Sequence, residues 1–255
     1  MEITRLNKTA IIVQARLGST RLPGKMERKF DASRSLLEVV ISQLKKTRLP
    51  IIIATSTNKE NDWVASIARQ NECLVYRGYE NDVLQRFIDA AKEFKIERII
   101  RVCADNPFIL PEQLRQLAEE LNRSDDDYVA FAFKDGLPTI KSHIGLFGEG
   151  CTLKGLEAIK RQTNEPFYCE HVTNFFYDNP KGFCIRFLTL PSQLEQRQDV
   201  RLTIDTKEDF EMSSKLYQML SKQGKLDDID ALIKEVDENP VYLQIMKNEI
   251  TRNSK

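Results

Sequence analysis

Between residues 10 and 133, short apolar runs recur, each followed by a polar loop and then by a stretch whose apolar residues fall at helical spacing. This alternation constrains the fold more than any other feature, because strands separated by helix-length segments pair in parallel. Ala10, Ile11, Ile12 and Val13 form the first run. Ser35 then stands where a cap would, ahead of Leu36, Leu37, Val40, Ile41 and Leu44, and this helix must end before Pro50. Further strands are predicted over residues 51–55, 74–76, 98–103 and 128–133, with helices over 58–70, 82–94 and 111–122 between them. A mostly parallel sheet with helices on both faces is the economical product. Residues 201–206 alternate again and read as a late strand closed by Asp205. Thr206 caps a helix to about residue 222, Gly224 marks a break, weaker helical patterns flank Pro240, and residues 251–255 are expected to fray.

At 255 residues the chain can bury a full core, and one α/β domain with appendages fits better than two independent domains. Lys plus Arg equals Asp plus Glu at 38 each, so no bulk charge points to nucleic acid as a partner. The five cysteines contain no CxxC pair, which favours reduced thiols in a cytoplasmic setting over disulfides or zinc. Residues 1–8 are polar and the apolar run after them is four residues long, too short for a secretory signal. No stretch is long enough to span a membrane.

Charge is local instead. The first run breaks into the loop Gln14-Ala15-Arg16-Leu17-Gly18-Ser19-Thr20-Arg21-Leu22-Pro23-Gly24-Lys25, with three cations, two glycines and two hydroxyls. Turn N–H groups, bidentate guanidinium groups and a lysine point charge suit phosphate oxygens. A solvated basic turn fits the residues equally well, and neither GxxxxGK[ST] nor GxGxxG is present. In open sheets ligands bind beyond the carboxyl ends of strands. Polar clusters follow the later strands as well: Thr55-Ser56-Thr57, Arg77-Gly78 and Ala104-Asp105-Asn106-Pro107. Asp105 and Asp205 each close a strand-like run. Each suits a turn or a cap, and together they suit one magnesium ion, which takes one or two carboxylates plus substrate oxygens and water.

Four segments add a resemblance. QARLGSTRLPGK resembles the N-terminal signature of the spore coat polysaccharide biosynthesis protein F family, itself similar to the sialic-acid and ketodeoxyoctonate cytidylyltransferases. YRGYENDVLQRF resembles that family's R-G-x-x-x-D-V-L-x-R run, RVCADNPFILP its G-D-x-P segment, and RLTIDTKEDF its R-L-T-x-D-T-x-E-D segment. The resemblance implies a three-layer α/β/α, Rossmann-like nucleotidyltransferase fold, with a catalytic domain over 1–225 and a helical extension over 226–255. It implies that the first loop holds the triphosphate of CTP, with Arg16 and Lys25 as the main ligands and Gln14, Ala15, Gly18, Ser19 and Arg21 alongside. Asp105 and Asp205 would be the magnesium ligands, and Thr55, Arg77 and Asp82 would lie near the nucleotide. Ala104 stands where the family commonly has glycine, and Cys103 where the ketodeoxyoctonate enzymes have glutamine.

The acceptor half is read from His143, Glu149, Glu170 and His171, of which Glu170 and His171 fall in a helical pattern within an E-H-V-T segment shared with the family. The function implied is magnesium-dependent transfer of CMP from CTP to a sugar acid or phosphorylated small molecule, with release of pyrophosphate, for a capsule, lipopolysaccharide or spore coat polymer. A cytoplasmic homodimer is expected from the family. Two alternatives stay open: a glycosyltransferase, for which the D-x-D run Asp125-Asp126-Asp127 precedes a strand instead of following one, and a non-catalytic nucleotide-binding protein.

Overall fold

Alternate residues of the first strand, β1 (Thr9–Gln14), face opposite sides of a sheet: Ile11 and Val13 pack into one hydrophobic cluster, Ala10 and Ile12 into another. All four are fully buried, and each branched side chain so placed contributes about 1.5–3 kcal/mol. The computed structural model describes residues 8–253. With β2 (Ile51–Ser56), β3 (Leu74–Gly78), β4 (Arg98–Cys103), β5 (Tyr128–Ala132), β6 (Glu149–Thr152) and β7 (Ile185–Thr189), β1 forms one sheet in the order β3-β2-β1-β4-β6-β5-β7. β1 pairs in parallel with β2 and β4, β2 with β3, and β5 with β7; only β6 is reversed, antiparallel to β4 and β5.

The helices are α1 (Leu36–Lys45), α2 (Asp62–Gln70), α3 (Val83–Glu93), α4 (Pro111–Arg123), α5 (Leu153–Gln162), α6 (Pro166–Glu170), α7 (Asn174–Asp178), α8 (Lys207–Lys222), α9 (Ile229–Asp237) and α10 (Pro240–Arg252). α1, α2, α4 and α8 supply side chains to the cluster of Ile11 and Val13, and α3, α5, α6 and α7 to that of Ala10 and Ile12. The result is the expected α/β/α three-layer, mostly parallel sheet. Local chemistry agrees with it. Ser35 accepts from the Glu38 N–H at 3.3 Å while Glu38 Oε2 accepts from the Ser35 N–H at 2.8 Å, a reciprocal cap on α1. The expected extension, 226–255, docks through Ala231, Leu232, Val236 and Met246 on the same core as the sheet. Residues 254–255 of the expected frayed end lie outside the described residues, whereas Thr251 and Arg252 close α10.

The structure differs from the sequence reading in four places. Residues 201–206 are no strand: the segment crosses the carboxyl edge of the sheet, with the N–H groups of Leu202 and Thr203 donating to His143 O and that of Ile204 to Asp105 O. Burial on all sides gives such a segment the apolar character of a strand without a ladder partner. β6 and β7 were not anticipated, since β6 is four residues long with a central glycine. The helix expected from residue 58 begins as a tight turn over Lys59–Asn61 before α2. Finally, α6 ends at Glu170 and leaves His171 as its cap, so the helical pattern there is broken.

Candidate active site

β1 and β4 are neighbours, but the chain leaves β1 toward β2 on one side and β4 toward β5 on the other, so a crevice opens at their carboxyl ends. Register sets what meets there. Gln14 lies opposite Cys103, so the loops that begin at Ala15 and Ala104 start side by side. A cavity of about 320 Å³ fills this crevice, lined by Gln14, Ala15, Arg16, Gly18, Ser19, Arg21, Lys25, Arg101, Cys103, Asp105, Glu170, His171 and Asp205 among others.

The first loop is pinned from below. Leu22 and Met26 are buried in the core. The Leu17 N–H donates to Asn61 Oδ1 at 2.8 Å, and Asn61 Nδ2 donates to Ser56 Oγ at the end of β2 at 2.7 Å. Ser19 Oγ accepts from the Leu22 N–H, which closes a turn, and Gly24 completes it at φ +67, a conformation that favours glycine. With the backbone held, the cationic ends reach the cavity.

Those cations meet carboxylates. Lys25, itself buried, donates from Nζ to Asp105 Oδ2 at 2.9 Å and to Ile204 O at 2.6 Å, and Asp205 Oδ1 lies 3.9 Å away. Arg21 donates to Asp205 Oδ1 at 2.7 Å and to Asn253 Oδ1 at 3.0 Å. Arg16 bridges Glu80 Oε1 at 3.0 Å and Glu170 Oε1 at 2.8 Å. Among the described residues no group of three or more His, Cys, Asp or Glu converges as a metal site. Two carboxylates grouped around one ammonium do suit an ion that draws its remaining ligands from water and substrate phosphate, so the residues fit magnesium.

Behind Asp205 stands a support that the sequence reading missed. Arg201, fully buried, forks onto Asp209 at 2.7 Å through both Nε and Nη2, reaches Asp205 Oδ2 at 3.1 Å and touches His143 Nδ1. Asp209 is also the third residue of α8, where it accepts from the N–H groups of Asp205 and Thr206. Burial lowers the Arg201 pKa, but the hydrogen bonds and charges of Asp209 and Asp205 outweigh it and hold the group above its ordinary value. A signal was available: an arginine at the head of the apolar-alternating run 201–205 and an aspartate eight positions later.

Several expected site residues sit elsewhere. Thr55, Arg77 and Asp82 are not among the cavity residues. Arg77 donates to Ser56 O and Asn58 O and pairs with Asp62, tying β3 to the β2 loop. Asp82 caps α3 through the Gln85 N–H and pairs with Lys160. Thr55 is wholly buried within β2. On the acceptor side, His143 is buried against Arg201, and Glu149 is buried among Arg101, Tyr128 and Thr173, so neither side chain faces the cavity. Glu170 and His171 do line it. The Asp125-Asp126-Asp127 run lies at the amino end of β5, where Asp126 pairs with Arg186.

Residues 10–243 match the family model described as cytidylyltransferase. The chain belongs to the cytidylyltransferase family. It is 34% identical over 244 residues to the spore coat polysaccharide biosynthesis protein SpsF of Bacillus subtilis, covering 92% of this chain and 96% of that one. It is 32% identical over 124 residues to the 3-deoxy-manno-octulosonate cytidylyltransferase of Coxiella burnetii, covering 47% and 49% of the two chains. The structure of a cytidylyltransferase from Leptospira borgpetersenii superposes with a TM-score of 0.80 at 30% identity, over 94% of this chain and 97% of that one. This cytidylyltransferase is therefore a CTP-dependent nucleotidyltransferase. Among its described residues no helix is long and apolar enough to cross a membrane.

Proposed function

We propose that the crevice at the ends of β1 and β4 is the nucleotidyl-transfer site, and that an anionic small molecule attacks the α-phosphorus of CTP there. One observation carries this: Lys25, from the first loop, holds Asp105 and Asp205 in a single charged cluster at the switch point of the sheet. Arg16, Arg21 and Lys25 neutralise the triphosphate and steady the departing pyrophosphate; fixed charge aimed where charge develops is the main lever in phosphoryl chemistry. Asp105 and Asp205 hold magnesium, which supplies charge neutralisation at the phosphorus under attack. Thr55, Arg77 and Asp82 act at a distance, by fixing the strands and the helix under the nucleotide.

A phosphate or phosphonate acceptor attacks through an oxygen that is already ionised and needs no general base, which suits a cavity rich in charge clamps, whereas a sugar acid attacks through a hydroxyl whose proton must be taken up. The acceptor is a sugar acid or a phosphorylated small molecule. The product is a cytidine-activated unit for a surface polysaccharide, in line with the spore coat role named for the Bacillus relative. A cytoplasmic homodimer completes the proposal, and light scattering on the purified protein checks the dimer. The deciding experiment measures pyrophosphate release from the four nucleoside triphosphates, with magnesium, against sugar acids and phosphorylated sugars. Release with CTP is expected, and it is lost in Asp105→Ala and Asp205→Ala. Full turnover in both variants sinks the metal assignment.

A further inference from the structure

Asn253, which closes the last turn of α10, brings a neutral oxygen to the first loop across 232 positions of sequence. Its Oδ1 accepts from Arg21 Nη1 at 3.0 Å, while Arg21 Nη2 donates to Asp205 Oδ1 at 2.7 Å. The sense of the amide is fixed by what lies behind it. Nδ2 donates to Glu249 O at 2.9 Å and to Glu249 Oε2 at 3.3 Å; turned over, the amide would set its oxygen against both acceptors and its NH2 against a guanidinium. Glu249 is itself buried and also accepts from Arg252 Nη1 at 3.2 Å. The helix is held in turn: Asn239 caps its first turn through the Val241 and Tyr242 N–H groups, Met246 is fully buried in the core, and α10 packs on α8.

Arg21 needs such a support more than the other two cations of its loop. Lys25 is buried and the Arg16 side chain is 22% exposed, whereas that of Arg21 is 52% exposed. An exposed arginine tied to one carboxylate must still give up rotamer freedom to hold one geometry, and a second contact fixes the plane of its guanidinium. The two partners differ in kind. Asp205 carries a charge that opposes the triphosphate and is also assigned to the metal, whereas Asn253 orients the guanidinium without neutralising it. A guanidinium has five N–H groups, so these two bonds leave donors for phosphate oxygens. We propose that Asn253 is a positioning residue for the donor: through Arg21 it presets the clamp that receives the triphosphate, which makes the last turn of α10 a working part of the site. The inference rests on the proposed transfer site, in which Arg21 binds the triphosphate.

Calorimetry of CTP binding to the full chain, with magnesium and without acceptor, tests this in a double-mutant cycle. Arg21→Met is expected to weaken CTP binding about 10- to 100-fold and Asn253→Ala about 3- to 10-fold. The double variant is expected to bind no more weakly than Arg21→Met alone, because Asn253 acts only through Arg21. Asn253→Asp keeps an acceptor oxygen but adds a charge that competes with the triphosphate, and it is expected to weaken CTP binding at least as much as Asn253→Ala. A lowered melting temperature in Asn253→Ala with CTP affinity at the wild-type level overturns the inference, because the residue then serves packing alone. So does an Asn253→Ala penalty of the same size in the Arg21→Met background, and so does an Asn253→Asp variant that binds CTP as tightly as the wild type. Wild-type CTP affinity in Arg21→Met instead removes Arg21 from the donor clamp; the failure then lies in the transfer-site reading, and the inference falls with it.

Discussion

Lys25 donates to Asp105 at 2.9 Å across 80 positions of sequence, joining the loop after β1 to the loop after β4. The same ammonium sits 3.9 Å from Asp205. One buried cation thus offsets two carboxylates that would otherwise repel each other, and those carboxylates are the ones proposed to hold magnesium.

Lys25→Met therefore removes the cation that the pair depends on. Breaking a buried ion pair by losing one partner costs about 3–5 kcal/mol. Adding millimolar magnesium is expected to raise the melting temperature of this variant more than that of the wild type, because the ion takes over the charge role of the ammonium. Scanning fluorimetry checks this without any turnover. Equal shifts in both proteins mean that Asp105 and Asp205 do not form one cation site.

Arg201 supports Asp205 through geometry that lysine cannot copy. Two nitrogens grip Asp209 at 2.7 Å each, and one of them also reaches Asp205. Arg201→Lys keeps a positive charge but loses the fork, and we expect it to lower unfolding stability by about 3 kcal/mol, measured by urea titration. Turnover should fall through kcat, with KM for CTP nearly unchanged, because Asp205 is displaced while the triphosphate clamp is left in place.

The first five strands, the caps at Ser35 and Thr206, and the basic loop were legible in sequence because each rests on local chemistry: period, cap and turn. Residues 201–206 were misread because full burial without pairing looks like a strand until the neighbours are known. Glu149 and His143 carried chemical promise as residue types, yet their partners, Arg101 and Arg201, are 48 and 58 positions away. A sequence shows that a buried charge needs a partner and does not show which one. Arg101 escaped notice for the same reason, since an arginine in the middle of RIIRVC suggests an edge position rather than a cavity wall.

Gly145 fixes the height of the segment that delivers Asp205. It sits at φ +64, and a Cβ there would lie 2.7 Å from the Thr203 N and 2.8 Å from the Leu202 carbonyl carbon, both backbone atoms that cannot swing away. Gly145→Ala combines left-handed strain with this clash, and a loss of about 2–4 kcal/mol is expected. Because the displaced residues lead into Asp205, activity measured well below the melting temperature should fall too. A variant of wild-type activity separates the packing of this segment from the placement of Asp205.

Asp31 gives the protein a defined acid limb. Its Oδ1 accepts from the N–H groups of Ser33 and Arg34 at 3.0 and 2.8 Å, and Oδ2 accepts from Arg34 Nε at 2.8 Å, which shapes the turn before α1. Burial raises its pKa, but the hydrogen bonds from Arg34 and Ser33 and the charge of Arg34 outweigh that and hold it below the ordinary value of 3.8. The folded state therefore binds this proton less readily than the unfolded chain. Its stabilising contribution is complete above pH 3.8 and is lost as the pH falls through the lower, folded value. Asp31→Asn should cost about 1–2 kcal/mol at neutral pH, and the gap to wild type should narrow steadily once the pH drops below about 4. Urea midpoints taken at neutral pH and in the acid range check both parts. A gap that stays constant into acid would mean that the turn is held by the shape of the side chain and not by its charge.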